Sequence, residues 1–226
     1  VDEKNLWGLG HKAKAAINLG GNSTRFDVTY TNPLMFDIPL TGWVNIYKWD
    51  REWDDYGYDK ESYGIRFGVS YPILYRTRLS LSYLLDNSDI KITDEDAAST
   101  NIKKLRGENI TSSVSANLRY DSRDRAFNTT RGTTSHGEIE YAGLGGDFDF
   151  TKYTAATAWY WPLFWKLVGM TRAQGGYISG DNVPDYEKFY LGGINSIRGF
   201  SWQDIFVLDE NGNKIGGESY VQFNVE

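Results

Sequence analysis

Apolar and polar residues alternate with a period of two along most of the chain, which predicts an all-β protein. From His11, Ala13, Ala15, Ile17 and Leu19 fall on one side and Lys12, Lys14, Ala16 and Asn18 on the other. Gly20-Gly21-Asn22 makes a tight hairpin. The return strand sets Phe26, Val28 and Tyr30 against Asp27, Thr29 and Thr31 until Asn32-Pro33 ends it. A third strand covers 42–49, and residues 50–57 are too charged to continue a half-apolar wall and read as a loop. The cleanest alternation sets Ile65, Phe67, Val69 and Tyr71 against Arg66, Gly68 and Ser70. It repeats with Leu79, Leu81, Tyr83 and Leu85 against Ser80, Ser82 and Leu84, before a polar loop at 86–107. Further strands follow at 109–121, after 132, at 150–161, at 167–179 and, briefly, from Phe200. After a turn at 209–213, the last strand sets Ser219, Val221, Phe223 and Val225 against Tyr220, Gln222, Asn224 and Glu226. The total is about eleven strands.

The polar faces narrow the fold class. Strand 109–121 lines up Thr111, Ser113, Ser115, Asn117, Arg119 and Asp121 opposite Ile110, Val114, Ala116, Leu118 and Tyr120. A sandwich rarely repeats so wet a face beside aromatic-rich ones, whereas a barrel with a watery interior does. The aromatic share is 15%, with 16 Tyr and 8 Trp. Mean hydropathy is −0.51, and no run approaches the roughly 20 apolar residues of a spanning helix. A transmembrane barrel fits, because its strands carry one apolar face and its Trp and Tyr gather at the interfaces, as Trp159, Trp161 and Trp165 do at one strand end. A soluble sandwich or sugar-binding barrel shares the composition. Connections are short at 32–40, 72–77, 122–131, 162–166 and 208–216, and longer at 48–60, 86–107 and 180–199. Short turns on one rim and long loops on the other are a barrel trait, although 20–22 and 143–148 are brief.

The net charge of −6 excludes a nucleic-acid surface. With no cysteine there is no disulfide framework or cysteine zinc site, and His11 and His136 lack ligand spacing, so no metal or cofactor is expected. An outer-membrane phospholipase would need a serine beside a histidine, yet alternation sends Ser135 and His136 to opposite faces. Val1 follows no signal peptide or initiator methionine and reads as the start of a processed or excised chain.

One stretch carries more. Phe189-Tyr190-Leu191-Gly192-Gly193-Ile194-Asn195-Ser196-Ile197-Arg198-Gly199-Phe200 places three glycines and one arginine in a break between strands. By composition alone it is a surface loop with an arginine in water. In detail it resembles the sixth extracellular loop of the outer-membrane barrel assembly superfamily, the bacterial surface antigen group that holds BamA, TamA and the two-partner secretion transporters. The openings at 5–11 and 30–36, the Asp121-Ser122-Arg123-Asp124 turn ending in Thr130-Arg131-Gly132, and Glu140 to Phe148 resemble the same family. Asn128-Thr129-Thr130 departs from it where a proline is usual.

The resemblance implies an antiparallel up-and-down transmembrane barrel of about sixteen strands. Residues 1–226 would be a single-domain part of it, beginning near the third strand and ending near the thirteenth. The POTRA domains, the first two strands and the closing strands would then lie outside it. It also implies a functional loop at Ile197, Arg198, Gly199 and Phe200 with Gly192 and Gly193, whose arginine reaches a wall glutamate matching Glu226. The other reading of Glu226 is a frayed, solvated carboxylate. The implied function is a non-enzymatic assembly factor of the bacterial outer membrane. It would insert and fold client barrel proteins together with accessory proteins in the lipid bilayer. A secretion transporter of the same superfamily is the near alternative, and a diffusion porin leaves the loop without a role.

Overall fold

A chain whose side chains alternate in polarity can satisfy both kinds at once in a single sheet with one apolar and one polar face. The computed structural model takes this form and describes residues 1–194 and 196–226; Asn195 of the loop motif lies outside the described residues. Its strands are β1 (Asp2–Leu6), β2 (His11–Leu19), β3 (Ser23–Met35), β4 (Leu40–Trp53), β5 (Tyr58–Leu74), β6 (Thr77–Ile92) and β7 (Gly107–Asp121). They continue with β8 (Gly132–Ala142), β9 (Asp149–Pro162), β10 (Val168–Asn182), β11 (Val207–Leu208), β12 (Lys214–Ile215) and β13 (Ser219–Val225), and a short helix α1 (Thr100–Lys104) lies between β6 and β7. Among the described residues, eleven strands form one antiparallel meander in the order β1 to β10, then β13. β11 and β12 form a separate small hairpin.

Register fixes which side chains share a face. Leu79 lies opposite Leu118, Leu81 opposite Ala116 and Tyr83 opposite Val114, and the row continues through Tyr141 on β8. Val69 and Phe67 join it from β5, and Val221 and Phe223 from β13 by way of Gly175 and Ala173. Leu79, Tyr83 and Ala116 are half-buried. The large side chains Val69, Phe67, Leu81, Val114, Leu118, Tyr141, Val221 and Phe223 stay open, from Val69 at 37% to Phe223 at 72% exposed; among the described residues no second sheet covers them. The opposite, inner face carries Arg66, Asn117, Arg119, Arg172 and Gln174. Lysine at Val114, in the middle of the apolar row, is expected to cost about 2–4 kcal/mol in an unfolding titration in lipid. Lysine at the inward neighbour Ser115 should cost far less, and equal losses would overturn the facing.

Three details differ from the expectation. β1 pairs with β2 ahead of the first predicted strand. No sheet strand begins at Phe200; β13 pairs directly with β10, so 208–216 is no rim turn but the tip of the β11–β12 hairpin inside one long loop, 183–218. β4, β5 and β6 run past the apolar band, so 50–53, 58–60 and 86–92 are strand where loop was expected. Beyond the apolar band the outer face meets water and carries the charges, so charge no longer argues against pairing, while Trp53, Tyr58, Ser62, Ser88 and Ile90 on the inner face are buried. Lys48 and Lys91 flank Glu61 at 2.7 and 3.4 Å across β4, β5 and β6 at this end of the sheet.

Candidate functional site

The loop 183–218 folds back over the inner face. Its glycines make the tight approach possible. Gly192 has φ 111°, and a Cβ there would stand 2.2 Å from the Ser201 carbonyl oxygen; Gly193 follows at φ 91°. The turn closes where the Gly193 N–H donates to the Phe200 carbonyl at 3.0 Å, and Leu191 and Ile205 bridge below it. Ile197 is half-buried, Gly199 has φ 90°, and Phe200 is partly open.

The seat of this turn is the inner face of β13. Gln222, 5% exposed, donates from Nε2 to the Ser196 carbonyl at 2.7 Å and accepts from Ser196 Oγ at 3.1 Å. Gln174 on β10 donates to Gln222 Oε1 at 2.8 Å and so orients it. Arg198 hydrogen-bonds Glu226, whose backbone is paired with Met170 in both directions, so this residue continues the ladder rather than fraying. The Arg198 side chain remains 65% exposed and that of Glu226 39%. An ion pair this open is worth about 0–1 kcal/mol. Gln222 and Ser196 were not singled out as partners, although Gln222 alternates inward next to Glu226.

The rest of the loop is anchored to distant parts of the chain. Asp185, 2% exposed, accepts from Ser99 Oγ at 2.5 Å and from Asn101 Nδ2 at 3.1 Å, and Lys188 Nζ lies 3.1 Å away. Ser99 is also the N-cap of α1, accepting from the Ile102 N–H at 3.1 Å, so one hydroxyl serves helix and loop. Lys152 on β9 donates to the carboxylate and the carbonyl of Glu187 at 2.9 and 2.8 Å. At the far side Tyr56 donates to the Gln203 carbonyl at 2.9 Å. Burial, with Asp55 and Asp204 nearby, pushes that hydroxyl up to about 12, so it stays a neutral donor. Arg51 lies between the rings of Trp53 and Trp202, 4.4 and 4.0 Å from their centroids. Beneath the loop a cluster including Trp53, Tyr58, Ile90, Phe150 and Ile178 fills one end of the inner face. At the tip of the β11–β12 hairpin, the N–H groups of Asn213 and Asn211 hold the Asp209 carboxyl below its usual range.

Ser135 Oγ bonds Thr157 Oγ1 at 2.8 Å, while His136 lies on the other face opposite Arg119, so the two do not meet. Among the described residues no group of three or more His, Asp or Glu side chains could hold a metal ion.

Two solved structures share this architecture. BamA from Haemophilus ducreyi lacking POTRA domains 1-3 superposes with a TM-score of 0.85 at 18% identity, over 99% of this chain and 48% of that one. CdiB from Acinetobacter baumannii gives 0.57 at 17% identity, over 99% and 41%. The sheet is thus part of the wall of an up-and-down β-barrel, with the loop on its inside. In sequence, the outer membrane protein assembly factor BamA of Nitratidesulfovibrio vulgaris is 33% identical over all of this chain and 29% of its own length. The sorting and assembly machinery component 50 homolog of Xenopus tropicalis is 28% identical over 96% of the chain and 46% of its own length. The chain therefore spans less than half the length of these relatives. The model of the Omp85 superfamily domain matches residues 5–226, from the first strand through the wall that seats the loop, and the chain belongs to that superfamily.

Proposed function

We propose that this chain is the central wall and plug loop of a bacterial outer-membrane assembly factor, which inserts and folds client β-barrel proteins without a covalent step. Residues 1–226 form one domain, part of a larger barrel that carries POTRA domains and works with accessory proteins. The observation that carries this reading is the seating of the Ile197-Arg198-Gly199-Phe200 turn on β13 through Ser196–Gln222 and Arg198–Glu226. A loop held against the inner wall makes a poor open pore. A barrel wall that presents strands to lipid, by contrast, can guide the pairing of incoming strands. The relatives named for assembly of outer membrane proteins and for sorting and assembly support the same role.

Full-length protein reconstituted in vesicles tests it. Arg198→Ala and Glu226→Ala should each slow insertion of a client barrel, with the double variant scarcely slower than either, because the two groups act as one contact. Unfolding midpoints should meanwhile correspond to a change of no more than about 1 kcal/mol, since the pair is open to solvent. Additive losses of activity, or unchanged insertion in both single variants, would reject the pairing as the working element.

A further inference from the structure

The rim opposite the long loop has a feature that strand alternation does not explain. Five turns lie on it: 7–10, 36–39, 75–76, 122–131 and 163–167. Each carries a bare aromatic residue: Trp7 at 76%, Phe36 at 80%, Tyr75 at 81%, Phe127 at 88% and Trp165 at 93% exposed. One exposed aromatic side chain is ordinary; one in every turn along a rim is a pattern. In three of these turns the ring sits where the backbone resists it. Trp7, Phe36 and Trp165 have φ of 56°, 59° and 58°, a left-handed conformation that suits glycine or asparagine and that bulky residues seldom adopt. Their side chains therefore occupy these positions against backbone preference.

The opposite rim differs. Its first four connections expose Gly21, Asp54 and Asp55, Asp94 to Asp96, and Leu144 to Gly146, with no exposed aromatic ring among their described residues, while Tyr56 is turned inward and buried. Charge follows the same division. The short turns hold Arg76, Arg123, Arg125, Arg131 and Lys166 against Asp37 and Asp124, although the whole chain is acidic. The Arg76 guanidinium lies over the Tyr75 ring, 4.9 Å from its centroid.

We propose that the short-turn rim is sunk in the adjoining phospholipid leaflet, with the aromatic tips in the boundary between acyl chains and headgroups. Arg76, Arg125, Arg131 and Lys166 would stand among the phosphates, while Arg123, 17% exposed, is paired with Asp121. Indole and phenol rings favour that boundary, where one part of the ring is dry and the other wet, and cations flanking them meet anionic headgroups. The apolar girdle thus continues past the strand ends into the turns themselves. This rests on the membrane-spanning fold and not on assembly activity, so the two can fail separately.

The chain has no cysteine, which permits a direct test in the full-length protein freed of any others. Phe127→Cys, Trp165→Cys and, as a control on the opposite rim, Asp96→Cys are labelled with the environment-sensitive fluorophore NBD. The labelled proteins are placed in nanodiscs of phosphatidylcholine and phosphatidylglycerol. At 127 and 165, lipid carrying a nitroxide near the headgroup should quench about threefold more strongly than at 96, and aqueous iodide correspondingly less. Because a dye can itself seek lipid, the unlabelled protein and Trp165→Phe are compared in lipid brominated near the headgroup. The unlabelled protein should lose more tryptophan emission than the variant. Iodide access at 127 and 165 equal to that at 96 would overturn the proposal. So would shielding from iodide without quenching by lipid, which would put a protein surface there instead, or equal bromine quenching of the two unlabelled proteins.

Discussion

Replacing Asp185 by alanine is expected to free the loop 183–218 from the wall at a cost of about 3–5 kcal/mol. The carboxylate is 2% exposed and meets three donors, the Ser99 hydroxyl, the Asn101 amide and the Lys188 ammonium. The Lys188 side chain is itself only 12% exposed, so deletion of its partner leaves a largely buried cation without a counter-charge. That residual charge, rather than the lost attraction, supplies most of the penalty. Asp185→Asn keeps the shape and part of the hydrogen bonding and should fall between alanine and the native residue. Hydrogen exchange at the Phe189 and Gly217 amides reads the opening, because each donates to the other's carbonyl, at 2.9 and 2.8 Å. Their protection should drop by about two to three orders of magnitude. Unchanged protection would show that Asp185 does not hold the loop.

Trp53→Ala should be comparably severe, at about 3–5 kcal/mol. Its ring stacks on Tyr58 with centroids 5.6 Å apart at 13°, meets Tyr56 edge-on at 5.7 Å, and contacts Trp202 at 5.6 Å. Removing it opens a cavity under the loop and leaves the Arg51 guanidinium with the Trp202 ring and the more distant Trp49 ring in place of three. Trp53 Nε1 has no hydrogen-bond partner among the described residues. Trp53→Phe therefore sacrifices no hydrogen bond, retains an apolar ring, and should recover most of the loss. Chemical unfolding in vesicles measures both, and a cost below about 1 kcal/mol for alanine would remove the cluster from any role in fixing the loop.

How far the sequence could be read follows from where each residue meets lipid. Along β5 to β7 and β13 one face is apolar and the other wet, and alternation identified both strands and facing, as for Val69, Leu81, Val114 and Phe223. Above the apolar band that contrast reverses. The charged ends of β4 to β6 resembled loop because their outer face carries the Lys48–Glu61–Lys91 row. The apolar residues of their inner face, Trp53, Tyr58 and Ile90, are few and are buried beneath the loop 183–218, far along the chain. The short strand expected from Phe200 does not join the wall; Ile205 instead bridges to Leu191, and Val207-Leu208 pairs in a small hairpin. The motif arginine and its glutamate were visible because a family pattern marks them. The Asp185–Ser99–Asn101 node was not, since it joins residues more than eighty positions apart and each looks ordinary in its own neighbourhood.

The seat of the loop has a consequence for the order of events in folding. β10 and β13 are hydrogen-bonded neighbours, so the loop between them is closed like that of a long hairpin, at an entropic cost that grows only slowly with its length. Its anchors, however, come from Tyr56, Ser99, Lys152 and Gln222, which are scattered over most of the chain. Contacts this distant in sequence form late, after the strands that carry them have been placed. Docking of the loop therefore acts as a proofreading step: a slipped register anywhere from β4 to β9 displaces at least one anchor, and the loop stays undocked until the wall is correct.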